Sequence, residues 1–476
     1  MGGHELPTRR LAKGLGWSAG GGIALRLGNV LVSIVMARII LPEEYGVFAV
    51  ALTVWSVLGV VAEFGLGTDV VRARDPARII PTVTTIGLAT SATLAASMLL
   101  GAPFIALAFD SPESVTSVRI MSLGMVAVGF MIVPAALLQR EFRQRELFQI
   151  HLTGLVASAA TMTVLALQNY GPVSLAVGQV VGQVVTVAGM YTVTRHRLRV
   201  GLDRGVAAAS LRFCMPLAAA NLVSWLLLSV DNVIVARELG PLELGLYVLA
   251  FNVSSWPMNA VGQAVRVIAL PAFSGLADTS ARNRALEATM GPLGIVAVLL
   301  GLGLATMAEP VVQLLYGARW SEAAVPLVGL AVFGAMRVVF DLWATFLIAC
   351  GRTATVLVVQ VVWILVMVPA MVVGIRVGGL AGAGWAHVLV AGVVVGPAYL
   401  LTLRAGGVAI RSIGRALLPA LLAAPPTVLA CRMIDQVVTP PLLVLLLAAM
   451  ACILLYLAPL RRTLLRQVRE LQAVNA

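Results

Sequence analysis

Apolar stretches of about 20 residues or longer, separated by short polar, Pro or Gly segments, run the length of the chain and predict membrane-spanning helices. They fall near 14–41, 45–70, 79–108, 115–138, 149–168 and 173–194, then near 212–236, 245–270, 286–308, 322–349, 354–374 and 379–403. A last pair lies near 415–432 and 441–459. The pattern predicts an all-α polytopic membrane protein of about 14 transmembrane helices, grouped six plus six plus two. The expected divisions are an N-terminal six-helix lobe over 1–200, a second over 206–404, and two further helices with a basic tail over 405–476. The linker RHRLRVGLDRG separates the lobes.

One short element occurs twice. ARIILPEEYGVFAVA, residues 37–51, has an ungapped counterpart, ARELGPLELGLYVLA, starting at Ala236. Ala37, Arg38, Pro42, Glu44, Gly46 and Ala51 recur as Ala236, Arg237, Pro241, Glu243, Gly245 and Ala250. Each copy reads as the end of one span, a tight turn, and the start of the next. Such an internal repeat in an apolar chain implies two related bundles around a central cavity, with the substrate site where they meet.

Composition sharpens this. The 476 residues are 60% apolar and 11% charged, with mean hydropathy +0.98, far from globular averages. The net charge of +12 would suggest nucleic acid in a soluble chain, but its placement follows membrane topology. Clusters such as Arg72, Arg74 and Arg78, or Arg140, Arg143 and Arg145, alternate with loops holding only Arg38, Arg119, Arg237, Arg319, Arg376 or Arg432. Clusters on the inside give cytoplasmic N- and C-termini and no nucleic-acid partner.

No connection exceeds about 20 residues, which leaves no room for a soluble catalytic domain. The lone lysine, Lys13, is followed by Gly14, and GxxxxGK[ST], GxSxG and HExxH are all absent. Four scattered histidines and four cysteines without a CxxC predict no metal site and no cofactor. The chain is therefore expected not to be an enzyme.

Several segments, in order, resemble the polysaccharide transport family, the oligosaccharide-lipid flippases of the multidrug/oligosaccharidyl-lipid/polysaccharide exporter superfamily. They are the AR-to-LPEEYGVFAVA turn, EFGLGTDVVR (63–72), LQREFRQREL (138–147), SVDNVIVARELGPLELGLYVLAF (229–251), LPAFSGL (270–276) and LLYGARWSEAAVPLVGLAV with the later ACGRT (314–332, 349–353). The resemblance implies alternating access between two lobes. It also implies export of an undecaprenyl-diphosphate-linked oligosaccharide across the bacterial inner membrane, for lipopolysaccharide, capsule or exopolysaccharide assembly. Membrane lipids, a polysaccharide polymerase and glycosyltransferases are the implied partners. A drug/cation antiporter and a peptidoglycan-precursor flippase are alternatives in the same superfamily, and a membrane glycosyltransferase or polymerase is an alternative from another class.

Ionisable and polar residues within the spans mark the candidate substrate site, because charge at membrane depth needs a partner or a wet cavity. Arg26 could grip a diphosphate with its planar fork, or brace the bundle against Glu63 or Asp69. Glu63 could face the cavity or neutralise Arg26. Asp231 is a candidate cavity or proton-coupling group, with pairing to Arg237 as the alternative. Arg337 and Asp341 stand i, i+4 and could pair with each other. Arg266 could serve topology alone. Asn29, Asn221 and Gln263 could bond sugar hydroxyls or neighbouring helices.

Overall fold

A computed structural model describes residues 6–276 and 278–475, with side chains left undescribed in 6–19, in parts of 216–228 and 264–275, and from 468 onward. The regular secondary structure of the described residues is all helical, without strands. In order, the helices are α1 (Leu6–Ile39), α2 (Pro42–Glu63), α3 (Leu66–Arg72), α4 (Pro76–Ala108), α5 (Ser114–Arg140), α6 (Gln144–Leu167), α7 (Pro172–Thr194), α8 (Arg204–Leu239) and α9 (Pro241–Gly275). There follow α10 (Thr279–Thr306), α11 (Ala308–Tyr316), α12 (Ala324–Ala349), α13 (Thr353–Val390), α14 (Gly396–Ala405), α15 (Ile410–Val437), α16 (Pro441–Ala451) and α17 (Ala458–Asn475). Among the described residues, 11 helical stretches are long and apolar enough to cross a bilayer. One of these, Thr353–Ala405, is 53 residues long and is interrupted within α13 by non-helical Gly378 and Gly379. The protein is a multi-pass membrane protein.

Packing divides the chain into two compact units, Met1–Gly245 and Leu246–Ala476. In the first, α4 packs on α5, α6 on α7, and α1 on α6, while α2 rests on α5 and α8. The linker is strapped to α4. Thr85 Oγ1 donates to the Gly201 carbonyl at 2.9 Å, and the Asp203 amide donates to Thr82 Oγ1 at 3.1 Å. Asp203 then caps α8 by accepting from the amides of Gly205 and Val206. Those two amides hold its carboxyl below the usual range.

In the second unit, α10 packs on α12, α15 and α17. Tyr456 donates to the Ile295 carbonyl at 3.0 Å from within an apolar cluster of Ile295, Ala420 and Leu460.

The repeated element has a physical reason at nearly every matching position. Arg38 and Arg237 stand in the last turns of α1 and α8, where a cation complements the negative end of the helix. Pro42 and Pro241 open α2 and α9, positions where the missing N–H costs nothing. Glu44 reaches back to accept the Leu41 amide at 3.0 Å, half of a capping box. Ala37, Ala236, Ala51 and Ala250 are fully buried. Gly46 and Gly245 meet within the first unit: a Cβ on Gly46 would strike the Pro241 carbonyl, and one on Gly245 the Pro42 carbonyl. The two turns of the repeat therefore abut, backbone against backbone.

Candidate functional site

The apolar run near 45–70 predicts one helix, and the structure breaks it. α2 ends at Glu63; Phe64 (φ 49) and Gly65 (φ 70) take left-handed conformations before α3 restarts at Leu66. A left-handed Phe is strained, and persists only where packing over-determines it. Here Leu66 and Val70 are fully buried in a cluster with Val83, Ile132, Val133 and Cys214. The short α3 is also fastened at its far end. Arg140 of α5 donates to the carbonyls of Val71 (2.9 Å) and Val70 (3.4 Å), and also to that of Ala73. Asp69 pairs with Arg72 at 2.9 Å and accepts from Ser210 Oγ of α8 at 2.7 Å. The Arg72 guanidinium lies over the Phe213 ring, 3.4 Å from its centre. Asp69→Ala should orphan Ser210 and cost about 1–2 kcal/mol, readable as a lower thermal midpoint of the purified protein; an unchanged midpoint would count against this fastening.

Beside the break lies a cavity of about 420 Å³, walled by Gly22 and Leu25 of α1, Glu63, Thr68 of α3, the end of α5 and the start of α6. Its polar wall groups are Glu63, Thr68, Gln139, Gln144 and His151; Met131, Phe148 and Met190 are among its apolar ones. Glu63 forms no ion pair among the described residues.

Arg26 is exposed on α1, one turn beyond Gly22 and next to Leu25, yet is not itself in the cavity wall. No ion pair joins it to Glu63 or Asp69 among the described residues, and Asp69 is engaged by Arg72. Asn29 donates to the Leu25 carbonyl of its own helix at 2.9 Å.

Asp231 is buried on α8 and accepts the Asn232 amide at 2.9 Å; the Asn232 side chain reaches Thr53 of α2 at 3.4 Å. It lies outside the cavity wall. Arg337 and Asp341 are half-buried on α12 in the second unit, in a region where Tyr247 bonds His387 at 2.8 Å and the Phe333 ring stacks near His387 at 4.8 Å. The side chains of Arg266 and Asn221 lie outside the described ones.

Of the sequence-predicted residues, the cavity thus contains Glu63. Thr68, Gln139, Gln144 and His151 join it without having been singled out. All but His151 lie in the EFGLGTDVVR and LQREFRQREL segments, so the two motifs fold around one space.

These features define an all-helical multi-pass membrane fold. A solved structure of the lipid II flippase MurJ in an inward closed conformation aligns with a TM-score of 0.76 at 14% identity, covering 94% of this chain and 99% of that one. An inward-facing MATE family multidrug transporter aligns at 0.65 and 16% identity, over 80% and 94% of the two chains. More specifically, the chain belongs to the polysaccharide biosynthesis protein family, which it matches over residues 35–325. Relatives include the succinoglycan biosynthesis transport protein ExoT of Rhizobium meliloti, 28% identical over 66% of this chain and 64% of that one. Another is the lipopolysaccharide biosynthesis protein WzxC of Escherichia coli, 24% identical over 77% and 75%. The alignment with ExoT spans just under two thirds of its length.

Proposed function

We infer that the protein is a flippase for an undecaprenyl-diphosphate-linked oligosaccharide, moving it across the bacterial cytoplasmic membrane for cell-surface polysaccharide assembly. The observation that carries this reading is the family match over residues 35–325, which runs through the first copy of the repeated element, the α2–α3 break and the second copy. Relatives named for succinoglycan and lipopolysaccharide biosynthesis support it. Physical cost supports it too: a glycosyl diphosphate drawn through hydrocarbon would lose the water around its charges and hydroxyls. A polar cleft replaces that water while the polyprenyl tail stays in lipid, and rocking of two lobes exposes the cleft to each side in turn.

In this reading the lobes are 1–200 and 206–404, followed by two helices in 405–476. The helices make fourteen crossings, with both termini cytoplasmic. The protein transports rather than catalyses. Arg26, Asn29, Glu63, Asp231, Arg266, Arg337 and Asp341 are the proposed substrate-contacting set. A polymerase and glycosyltransferases are the proposed partners. Deleting the gene should abolish the surface glycan while its lipid-linked precursor accumulates; a normal surface glycan in the deletion strain would refute the assignment.

Asp231 is proposed to organise the cavity wall of the second lobe. Asp231→Asn should lower export about tenfold or more at normal membrane abundance, because the carboxamide keeps the size of the side chain and an acceptor oxygen for the Asn232 amide but removes the charge. Full export by that variant would remove Asp231 from the set.

A further inference from the structure

The non-helical segment between α7 and α8, residues 195–203, has a composition that joining two helices does not require. Its basic and aliphatic residues alternate: Arg195, Arg197 and Arg199 with Leu198, Val200 and, past Gly201, Leu202. The three arginines are exposed, and so are Leu198 (46%), Val200 (66%) and Leu202 (64%). A single exposed aliphatic side chain needs no explanation, but three at alternate positions of one short segment mark a surface that something covers.

The segment is fixed in place against α4. The Gly201 amide donates to Thr85 Oγ1 at 3.0 Å, and its carbonyl accepts from the same hydroxyl at 2.9 Å. The Asp203 amide donates to Thr82 Oγ1 at 3.1 Å, and a Cβ on Gly201 would lie 3.3 Å from Pro81. Those anchor points set a depth. α4 has 33 residues, so it is about 50 Å long at about 1.5 Å per residue. A hydrocarbon core is about 30 Å thick, which leaves about 10 Å of a centred α4 in the headgroup region at each end. Thr82 and Thr85 lie about 9 and 14 Å from the start of the helix. The segment is thus held where α4 enters the hydrocarbon.

Its positive charge has no protein counterpart. Arg195, Arg197 and Arg199 take part in none of the ion pairs among the described residues. The nearby carboxylate of Asp203 is occupied by the amides of Gly205 and Val206 and lies near Arg78. Arg74 and Arg78, both exposed, add to the positive charge at the start of α4. Burial, and then Arg199, hold the His196 imidazole below its ordinary pKa, so it is neutral at pH 7.

We propose that residues 195–202 are an interfacial anchor that binds anionic phospholipid, with Leu198, Val200 and Leu202 at the hydrocarbon boundary and Arg195, Arg197 and Arg199 on the headgroup phosphates. A guanidinium suits phosphate oxygens through its planar fork, and basic residues beside a membrane segment gain from an anionic lipid surface. A soluble protein partner would also cover aliphatic groups, but it would not need them at the depth where α4 enters lipid. The inference does not depend on what the protein transports.

The test places an environment-sensitive nitrobenzoxadiazole probe on Val200→Cys in the full-length chain, with the four native cysteines replaced by serine, in phosphatidylethanolamine/phosphatidylglycerol liposomes. Phosphatidylglycerol and phosphatidylcholine carrying a nitroxide high on the acyl chain are compared as quenchers at equal low mole fraction. Both should quench the probe, and the phosphatidylglycerol should do so about fivefold more strongly or better. Replacing Arg195, Arg197 and Arg199 together by Gln should bring the two lipids to parity, as should about 1 M salt. Where the cysteine-free chain does not fold, phosphatidylglycerol carried through native mass spectrometry is counted for wild type and for the triple Gln variant, and the variant should carry less. A probe quenched by aqueous iodide and by neither lipid would overturn the anchor and place the segment in water or against a protein. Equal quenching by the two lipids with the arginines intact, or equal phosphatidylglycerol counts, would overturn the anionic recognition.

Discussion

Arg26→Ala should reduce glycan export by about a hundredfold or more while leaving the protein in the membrane at near-normal abundance, a separation the local structure makes possible. Arg26 is exposed on α1, and the described residues give it no ion pair with Glu63 or Asp69. Removing it therefore strands no buried acid, and exposed substitutions of that kind usually change stability by about 0.5 kcal/mol or less. Its proposed contact with a diphosphate is different: a charge-assisted, bidentate pair whose truncation typically costs about 2–5 kcal/mol. Arg26→Lys keeps the charge and loses the fork, so it should export at an intermediate level. If Arg26 instead braced the bundle, Arg26→Ala would lower abundance, and adding Glu63→Ala would restore it together with export. Export per inserted molecule, measured for the single and double variants, separates the cases, and normal export by the double variant would end the substrate-binding assignment.

Gly46→Val and Gly245→Val should each destabilise the protein by about 3 kcal/mol or more, the upper range for overpacking a tight contact. At both positions the obstacle is backbone, the carbonyl of the facing proline, and backbone cannot step aside as a side-chain tip can. Nothing within 4 Å meets a Cβ at Gly59, on the same helix as Gly46, so it supplies the control. Gly59→Ala should be neutral or stabilising, because Ala favours the helix by about 0.5–1 kcal/mol. Thermal midpoints and membrane abundance of the three variants check this. A Gly46→Val protein as stable as wild type would show that the two turns do not need their close approach.

The contact between the turns is foreshadowed in the sequence only as a coincidence of letters. The repeat marks Pro42, Gly46, Pro241 and Gly245 as corresponding positions, but nothing in spacing alone says that they touch. That the chain is built of membrane-length helices was legible because a bilayer demands long apolar runs, and the Gly378–Gly379 interruption falls at the expected boundary between the spans ending near 374 and starting near 379.

The α2–α3 break was not legible in the same way. EFGLG continues an apolar run, and glycine within a membrane helix is too common to signal a break by itself. What stops the helix is tertiary: the burial of Leu66 and Val70 and the grip of Arg140 on the carbonyls of α3. The Asp69–Arg72 pair, at i and i+3, could have been read from spacing. That reading would have removed Asp69 as a partner for Arg26.

Gln139, Gln144 and His151 reach the cavity because α5 packs beside α2 and α6 beside α1. Membrane helices apolar on nearly every face carry no periodic mark of which side looks inward.

The most direct test of the account is flipping by the purified protein in liposomes loaded with a fluorescent undecaprenyl-diphosphate-linked oligosaccharide, with the outer leaflet read by a membrane-impermeant quencher. The account predicts that inner-leaflet lipid becomes quenchable at a rate that rises with wild-type protein and falls to the protein-free rate with Arg26→Ala. Folded, inserted wild-type protein that moves the lipid no faster than empty liposomes would contradict it.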